Sequence, residues 1–233
     1  MEQLICLEAL SVILGVPIKP GSKGMSNVNE LNVENLLFST FFGNLFNGGP
    51  GKELFVDMNG FLDPQFDYDF RYCNDKSICK RGDEPYKRPC GWYRFALKVL
   101  NKYPDGNTWL GTDGWRSHSV AGEWPVSYHG TTIENAKKIV KSYYKPGDRE
   151  KYGRGIYSTY DIDQAFDYSR EFTSKNGKKY RVIMQNRINP KMRKVCKRQD
   201  YWLIEIPEGT SAAKEKEIVE KSFRPYGILM KQV

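Results

Sequence analysis

The chain has 233 residues, 39% hydrophobic and 27% charged, with 21 Gly, 12 Pro and a mean hydropathy of −0.63. That composition supports a core of real size and excludes disorder, collagen and coiled coil. The net charge is +8, unevenly spread: residues 1–90 hold 9 Lys/Arg against 12 Asp/Glu, and the remainder 27 against 16, so a portion at −3 precedes one at +11. A basic portion, in a chain with 15 Tyr, suits either a solvated lysine face or a site for something anionic.

In chain order, the apolar run Ala9 to Pro17 is too short for a bilayer and follows Glu2 and Glu8 without Lys or Arg. It reads as a buried helix, not a signal peptide. Residues 1–50 are expected to form two apolar helical segments around the polar linker Lys19 to Asn29. The second segment contains Leu36, Leu37, Phe38, Phe41, Phe42, Leu45 and Phe46. Residues 53–58 suggest a short strand, and 59–90 an irregular stretch dense in Asp, Arg, Tyr and Pro. Trp92, Phe95, Ala96, Val99, Leu100 and Tyr103 recur at helical spacing, which predicts a helix over 91–103. Residues 124–130 read as a strand running into a turn. Thr132 can cap a helix over 133–144. A charged, Gly-rich loop then leads to a strand at 155–159 and a helix from Asp161. From Tyr180 the period changes, and 180–188, 201–206 and 227–233 read as strands rich in β-branched and aromatic residues. Helices followed by a run of strands indicate an α+β fold. The expected organisation is an N-terminal helical and irregular extension over 1–90, packed on a domain over 91–233.

The five cysteines are odd in number and form no CxxC pair, and the two histidines, His118 and His129, offer no zinc-ligand spacing. No metal is expected. Reduced cysteines in an intracellular, cytoplasmic setting follow, although Cys73 and Cys79 are placed to pair. No stretch is long and apolar enough to suggest a membrane span.

The usual catalytic spacings are absent: there is no GxGxxG, phosphate loop, HExxH or GxSxG. Three short pieces in order do carry chemistry. Tyr128-His129-Gly130-Thr131 ends a strand. Gly153-Arg154-Gly155-Ile156-Tyr157 opens another, with Tyr168 in the following helix. Gln199-Asp200-Tyr201-Trp202-Leu203-Ile204 brings an acid to the start of an apolar strand. Together they offer an imidazole beside a backbone turn, two tyrosines eleven residues apart, and a carboxylate.

This order resembles the ADP-ribosyltransferases of the poly(ADP-ribose) polymerase type, which carry a His-Tyr-Glu triad in the contexts HGT, GxGIY and EYxxY. The resemblance covers about residues 122–233. It implies a cleft between two small twisted, mainly antiparallel sheets, with NAD as the ADP-ribose donor. His129 would bond the adenosine ribose, with Thr131 beside it in the motif. The Gly130 backbone would hold the nicotinamide carboxamide, where a side chain would intrude. Tyr157 and Tyr168 would sandwich the cationic nicotinamide ring. Asp200 falls at the position of the catalytic Glu, where it would bond the 2′-hydroxyl of the nicotinamide ribose and stabilise the developing cation. Read from its own position in the loop before the strand, Arg154 is either a contact to the diphosphate or a solvated loop charge. Outside the resemblance, Asp69 and Arg71, in the polar and aromatic FDYDFR, read either as shaping the acceptor side of the cleft or as an ion pair bracing the domain, and Glu205 is assigned to the acceptor side with them.

The departures narrow the expectation. Asp in place of Glu shortens the arm by about 1.5 Å. Ala165 stands where the family often has a Ser. Within the family, loss of the Glu accompanies mono-ADP-ribosyl transfer or loss of activity. The resemblance therefore implies a mono-ADP-ribosyltransferase acting on a protein side chain. It also extends to a divergent branch, found in microbial effectors secreted into host cytoplasm and in eukaryotic homologues, some of which modify ubiquitin on threonine. The alternatives are an inactive NAD or ADP-ribose binder of the same fold and, for the basic portion, a nucleic-acid binder. The last would show a steep salt dependence and lacks a recognisable module.

Overall fold

The computed structural model describes residues 62–233 apart from 75–77, 113, 115–117, 148–150, 175–176 and 199, together with two short strands earlier in the chain. Those are β1 (Ile18–Lys19) and β2 (Leu54–Phe55), paired in parallel. β2 falls within the strand expected over 53–58; the helices expected within 1–50 lie outside the described residues.

The rest is α+β and mostly antiparallel, and its sheet is not a closed barrel. After a 3-10 turn at Pro64–Phe66 come β3 (Tyr68–Asp69), β4 (Ile78–Arg81), β5 (Glu84–Lys87), β6 (Tyr93–Ala96) and β7 (Val126–Gly130). Then follow α1 (Ile133–Lys141), β8 (Gly155–Thr159), α2 (Ile162–Tyr168), β9 (Phe172–Thr173) and β10 (Lys179–Ile188). β11 (Lys194–Val195), β12 (Tyr201–Glu205), α3 (Ala212–Ser222) and β13 (Phe223–Gln232) complete the chain. β4 and β5 form their own hairpin. The other strands make one nine-stranded sheet in the order β11-β12-β8-β7-β10-β13-β6-β3, with β9 on the end of β10.

β10 shows why the sheet is buried on both faces. Its even residues Val182 and Met184 enter one apolar cluster with Trp202, Ile204, Phe223 and α1's Ile133, Ala136 and Ile139. Ile183 enters a second with Val126, Tyr128, Leu229 and α2's Ile162 and Ala165. Each fully buried aliphatic side chain contributes roughly 1.5–3 kcal/mol. α1 begins where expected, with Thr132 Oγ1 accepting from the Asn135 amide at 3.2 Å. α2 is capped by Asp161, whose carboxylate accepts from the Asp163 amide at 2.9 Å.

Two expectations are corrected. The predicted helix over 91–103 is strand β6 followed by turns. Trp92 packs on one side of the sheet and Tyr93 and Phe95 on the other, and a strand buried on both faces is apolar at nearly every position, which mimics helical spacing. The described part of residues 1–90 is joined to the rest. β3 pairs with β6 in the main sheet, and Tyr86 of β5 sits in the second cluster. The thiol contact differs as well: Cys90 Sγ donates to Cys73 Sγ at 2.7 Å, where the spacing suggested Cys79.

Candidate functional site at the split in the sheet

The sheet divides at one point. β7 and β8 are paired only through Tyr128 and Thr159, so β11-β12-β8 and the strands from β7 onward are two half-sheets joined by a single rung. Beyond that rung the two strands are linked by a side chain: His129 Nδ1 lies 2.7 Å from the Tyr157 carbonyl oxygen. A carbonyl only accepts, so Nδ1 carries the proton and donates. Burial pushes the imidazole below its ordinary pKa, outweighing the raising effect of that bond. His129 is therefore neutral near pH 7, and its Nε2 bears a lone pair able to accept from a hydroxyl. The edge of the ring packs against the buried Tyr144, with centroids 5.1 Å apart, and the Tyr144 hydroxyl donates to Asn186 Oδ1 at 2.6 Å.

Gly130 is required by the neighbouring helix. A Cβ there would sit 1.8 Å from the Ala165 carbonyl oxygen of α2, so the helix passes directly over the strand end. Thr131 is buried, and its carbonyl accepts from the Arg170 amide at 3.3 Å, which ties down the segment after α2. His129 thus meets β8, Gly130 meets α2, and Thr131 meets the segment that follows α2.

Four tyrosines extend the site. The Tyr157 hydroxyl donates to the Gly153 carbonyl at 2.6 Å and accepts from the Tyr152 amide at 2.9 Å, folding the preceding turn back on the strand. Ring contacts then run from Tyr157 to Tyr152 at 6.5 Å, Tyr152 to Tyr201 at 6.4 Å, and Tyr201 to Tyr168 at 6.2 Å, the last edge to face. The Tyr168 and Tyr201 hydroxyls are 2.8 Å apart. Tyr168 is 42% exposed and belongs to neither apolar cluster. Tyr152 and Tyr201 were missed from sequence, although both neighbour the motifs, in KYGRGIY and QDYW.

Asp200 reaches α2: Gln164 Nε2 donates to its carboxylate, as does Arg198 NH2 at 3.0 Å. Partial burial pushes this carboxyl up, but the Arg198 and Gln164 hydrogen bonds outweigh it and hold the pKa below the usual aspartate value. Asp200 is ionised at neutral pH. Gln164 Oε1 is buried without a hydrogen-bond partner among the described residues.

Four other assigned residues are held by partners of their own. Arg154 NH1 donates to the carbonyls of Ile206 at 2.9 Å and Pro207 at 3.2 Å, and NH2 lies 3.6 Å from Glu215. It braces the start of β8 against the start of α3. Asp69, at the end of β3, pairs with Arg71 in the following turn at 2.6 Å. That edge lies four strands from β7, roughly 19 Å at ordinary strand spacing, and so away from the split. Glu205 lies on β12 but is exposed and paired with Lys194 at 2.6 Å.

Neither a known family model nor a curated protein matches this chain in sequence.

Proposed function

We propose that the chain is a mono-ADP-ribosyltransferase with NAD as donor substrate, and that its split sheet is the cleft of the ADP-ribosyltransferase fold. The observation that carries the reading is the His129–Tyr157 bond at the sheet split, with Gly130 under α2 and Tyr168 delivered by that same helix. Two motifs far apart in sequence, and the helix that follows the second, thereby meet. The residues present suit the donor: a neutral imidazole for a ribose hydroxyl, aromatic faces for a cationic ring, and an orphan amide oxygen on Gln164 for an N–H group.

In this reading the tyrosines hold the nicotinamide and His129 holds the adenosine ribose, fixing the donor in a reactive pose. The bond between nicotinamide nitrogen and ribose C1′ breaks, and its electron pair leaves with the ring, neutralising the cation. An acceptor oxygen forms the new bond to C1′ and loses its proton to solvent. The acceptor is a protein side chain, and the threonine hydroxyl of ubiquitin is the candidate that the resemblance supplies.

The test is incubation of the full chain with NAD labelled in its adenylate half, in cell lysate and with ubiquitin, alongside calorimetry of NAD binding. Label on protein with release of nicotinamide is expected, and His129→Ala should weaken NAD binding by 10-fold or more. Binding without label would leave a non-catalytic NAD binder, and absence of binding would remove both readings.

A further inference from the structure

Strand register separates two neighbouring residues that sequence treats as one motif. Across the β8–β12 pairing Tyr201 lies opposite Thr159, and Leu203 lies opposite Tyr157. Residues directly opposite each other share a sheet face, as do alternate residues of one strand. Tyr157, Thr159, Tyr201, Leu203 and Glu205 are therefore on one face. Ile156, Trp202 and Ile204 are on the other, inside the larger apolar cluster.

Asp200 precedes the strand, and its carboxylate is held by Gln164 and Arg198. Leu203 has no polar atom, and the exposed Glu205 is paired with Lys194. The Tyr201 hydroxyl is thus the β12 group that is both on the Tyr157 face and inside the tyrosine cluster. It meets the Tyr168 hydroxyl at 2.8 Å. Two phenols in contact hold two protons: one makes the mutual bond, and the other can be donated to a third oxygen. With Tyr168 42% exposed, that second proton is within reach of a ligand.

Resting on the NAD reading, we propose that Tyr201, and not Asp200, is the β12 side chain that engages the nicotinamide ribose, with Tyr168 orienting its hydroxyl. Asp200 is then a positioning residue, which fixes Gln164 and through it the first turn of α2. Burial and the bond to Tyr168 push the Tyr201 phenol well above its ordinary pKa, so the engaging group is a neutral hydrogen-bond partner rather than a charge. Such a partner orients the ribose but offers the developing cation little electrostatic stabilisation, which fits single transfer better than chain growth.

The experiment compares the full chain with Tyr201→Phe, Asp200→Asn and Tyr168→Phe. It measures nicotinamide release from NAD, NAD affinity by calorimetry, and thermal melting as a check on folding. Tyr201→Phe is expected to lower the release rate by about 100-fold, the scale for losing the reactive orientation of a bound group, with NAD affinity changed by about threefold or less. Asp200→Asn is expected to lower the rate by about threefold or less. A Tyr201→Phe rate equal to that of the parent, with Asp200→Asn inactive, would overturn the assignment and return Asp200 to the ribose. Should Tyr201→Phe fail to melt cooperatively, Tyr168→Phe decides: a rate loss of about 10-fold supports the hydroxyl pair, and an unchanged rate overturns it. A parent chain that neither binds nor cleaves NAD would instead remove the NAD reading itself, and this proposal with it.

Discussion

Glu123 shows how one residue can tie three segments together. Its side chain is fully buried, and its oxygens accept from Arg81 Nε at 2.9 Å, Arg187 NH1 at 2.8 Å, Ser119 Oγ at 3.0 Å and the Gly82 amide at 3.0 Å. The β4–β5 hairpin, the loop before β7 and the central strand β10 therefore meet on one carboxylate. Burial alone would raise its pKa, but the hydrogen bond from Arg81 and the charge of Arg187 outweigh that and bring it down to about 2. A carboxylate depressed on folding adds stability that is fully present above its unfolded pKa of about 4.5 and is lost as pH falls towards about 2. The melting temperature should fall across that window. Glu123→Gln leaves two guanidiniums without their anion, and should cost about 3–5 kcal/mol at neutral pH and flatten the acid limb. Urea unfolding across pH is the check, and an unaltered acid limb in the variant would show that other carboxylates set it.

At the scale of elements, the site depends on how closely α2 approaches β7. Gly130→Ala puts a methyl into the Ala165 carbonyl, so either the helix lifts or the strand end shifts. Overpacking of this kind costs about 1–3 kcal/mol. Because α2 also carries Gln164 and Tyr168, the proposed NAD binding should weaken by 10-fold or more while the Glu123 network stays intact. Melting and calorimetry on the one variant test both halves of this expectation. The elements legible in the sequence were those with a local signature. Thr132 announced α1 by its cap, and the β-branched run at 180–188 announced β10. β6 was misread because burial on both faces removes the period that distinguishes strand from helix. α3 carried no expectation because only Ile218 and Val219 of its eleven residues are large aliphatics, against six charged ones, so it has no apolar stripe. His129, Gly130 and Tyr157 were legible in a similar way, as short motifs in order. Tyr201 was not, because the face a residue occupies depends on pairing with a distant strand.

At the scale of the whole molecule, the backbone rung at Tyr128 and Thr159 and the bond from His129 to the Tyr157 carbonyl join the two half-sheets among the described residues. A ligand held by His129 on one half and by the tyrosines of β8, β12 and α2 on the other would cross-link them. Its binding free energy then adds to the cohesion of the sheet. At a concentration 100-fold above Kd, a ligand confined to the native state stabilises it by about 2.7 kcal/mol. For a chain of this size each kcal/mol moves the melting temperature by about 2–4 °C, so NAD should raise it by roughly 5–10 °C. The gain in hydrogen-exchange protection should centre on the end of β7, β8, β12 and the first turn of α2, leaving β3 and the β4–β5 hairpin unchanged. The +11 portion bears on the same measurement. If its lysines mainly form a solvated face, the NAD shift should fall only modestly between about 50 and 200 mM salt. A nucleic-acid site engaging several phosphates would instead lose about 1,000-fold or more in affinity over that range. No shift at saturating NAD, together with steep salt-dependent binding of an oligonucleotide, would reassign the basic portion and leave the split in the sheet without a dinucleotide.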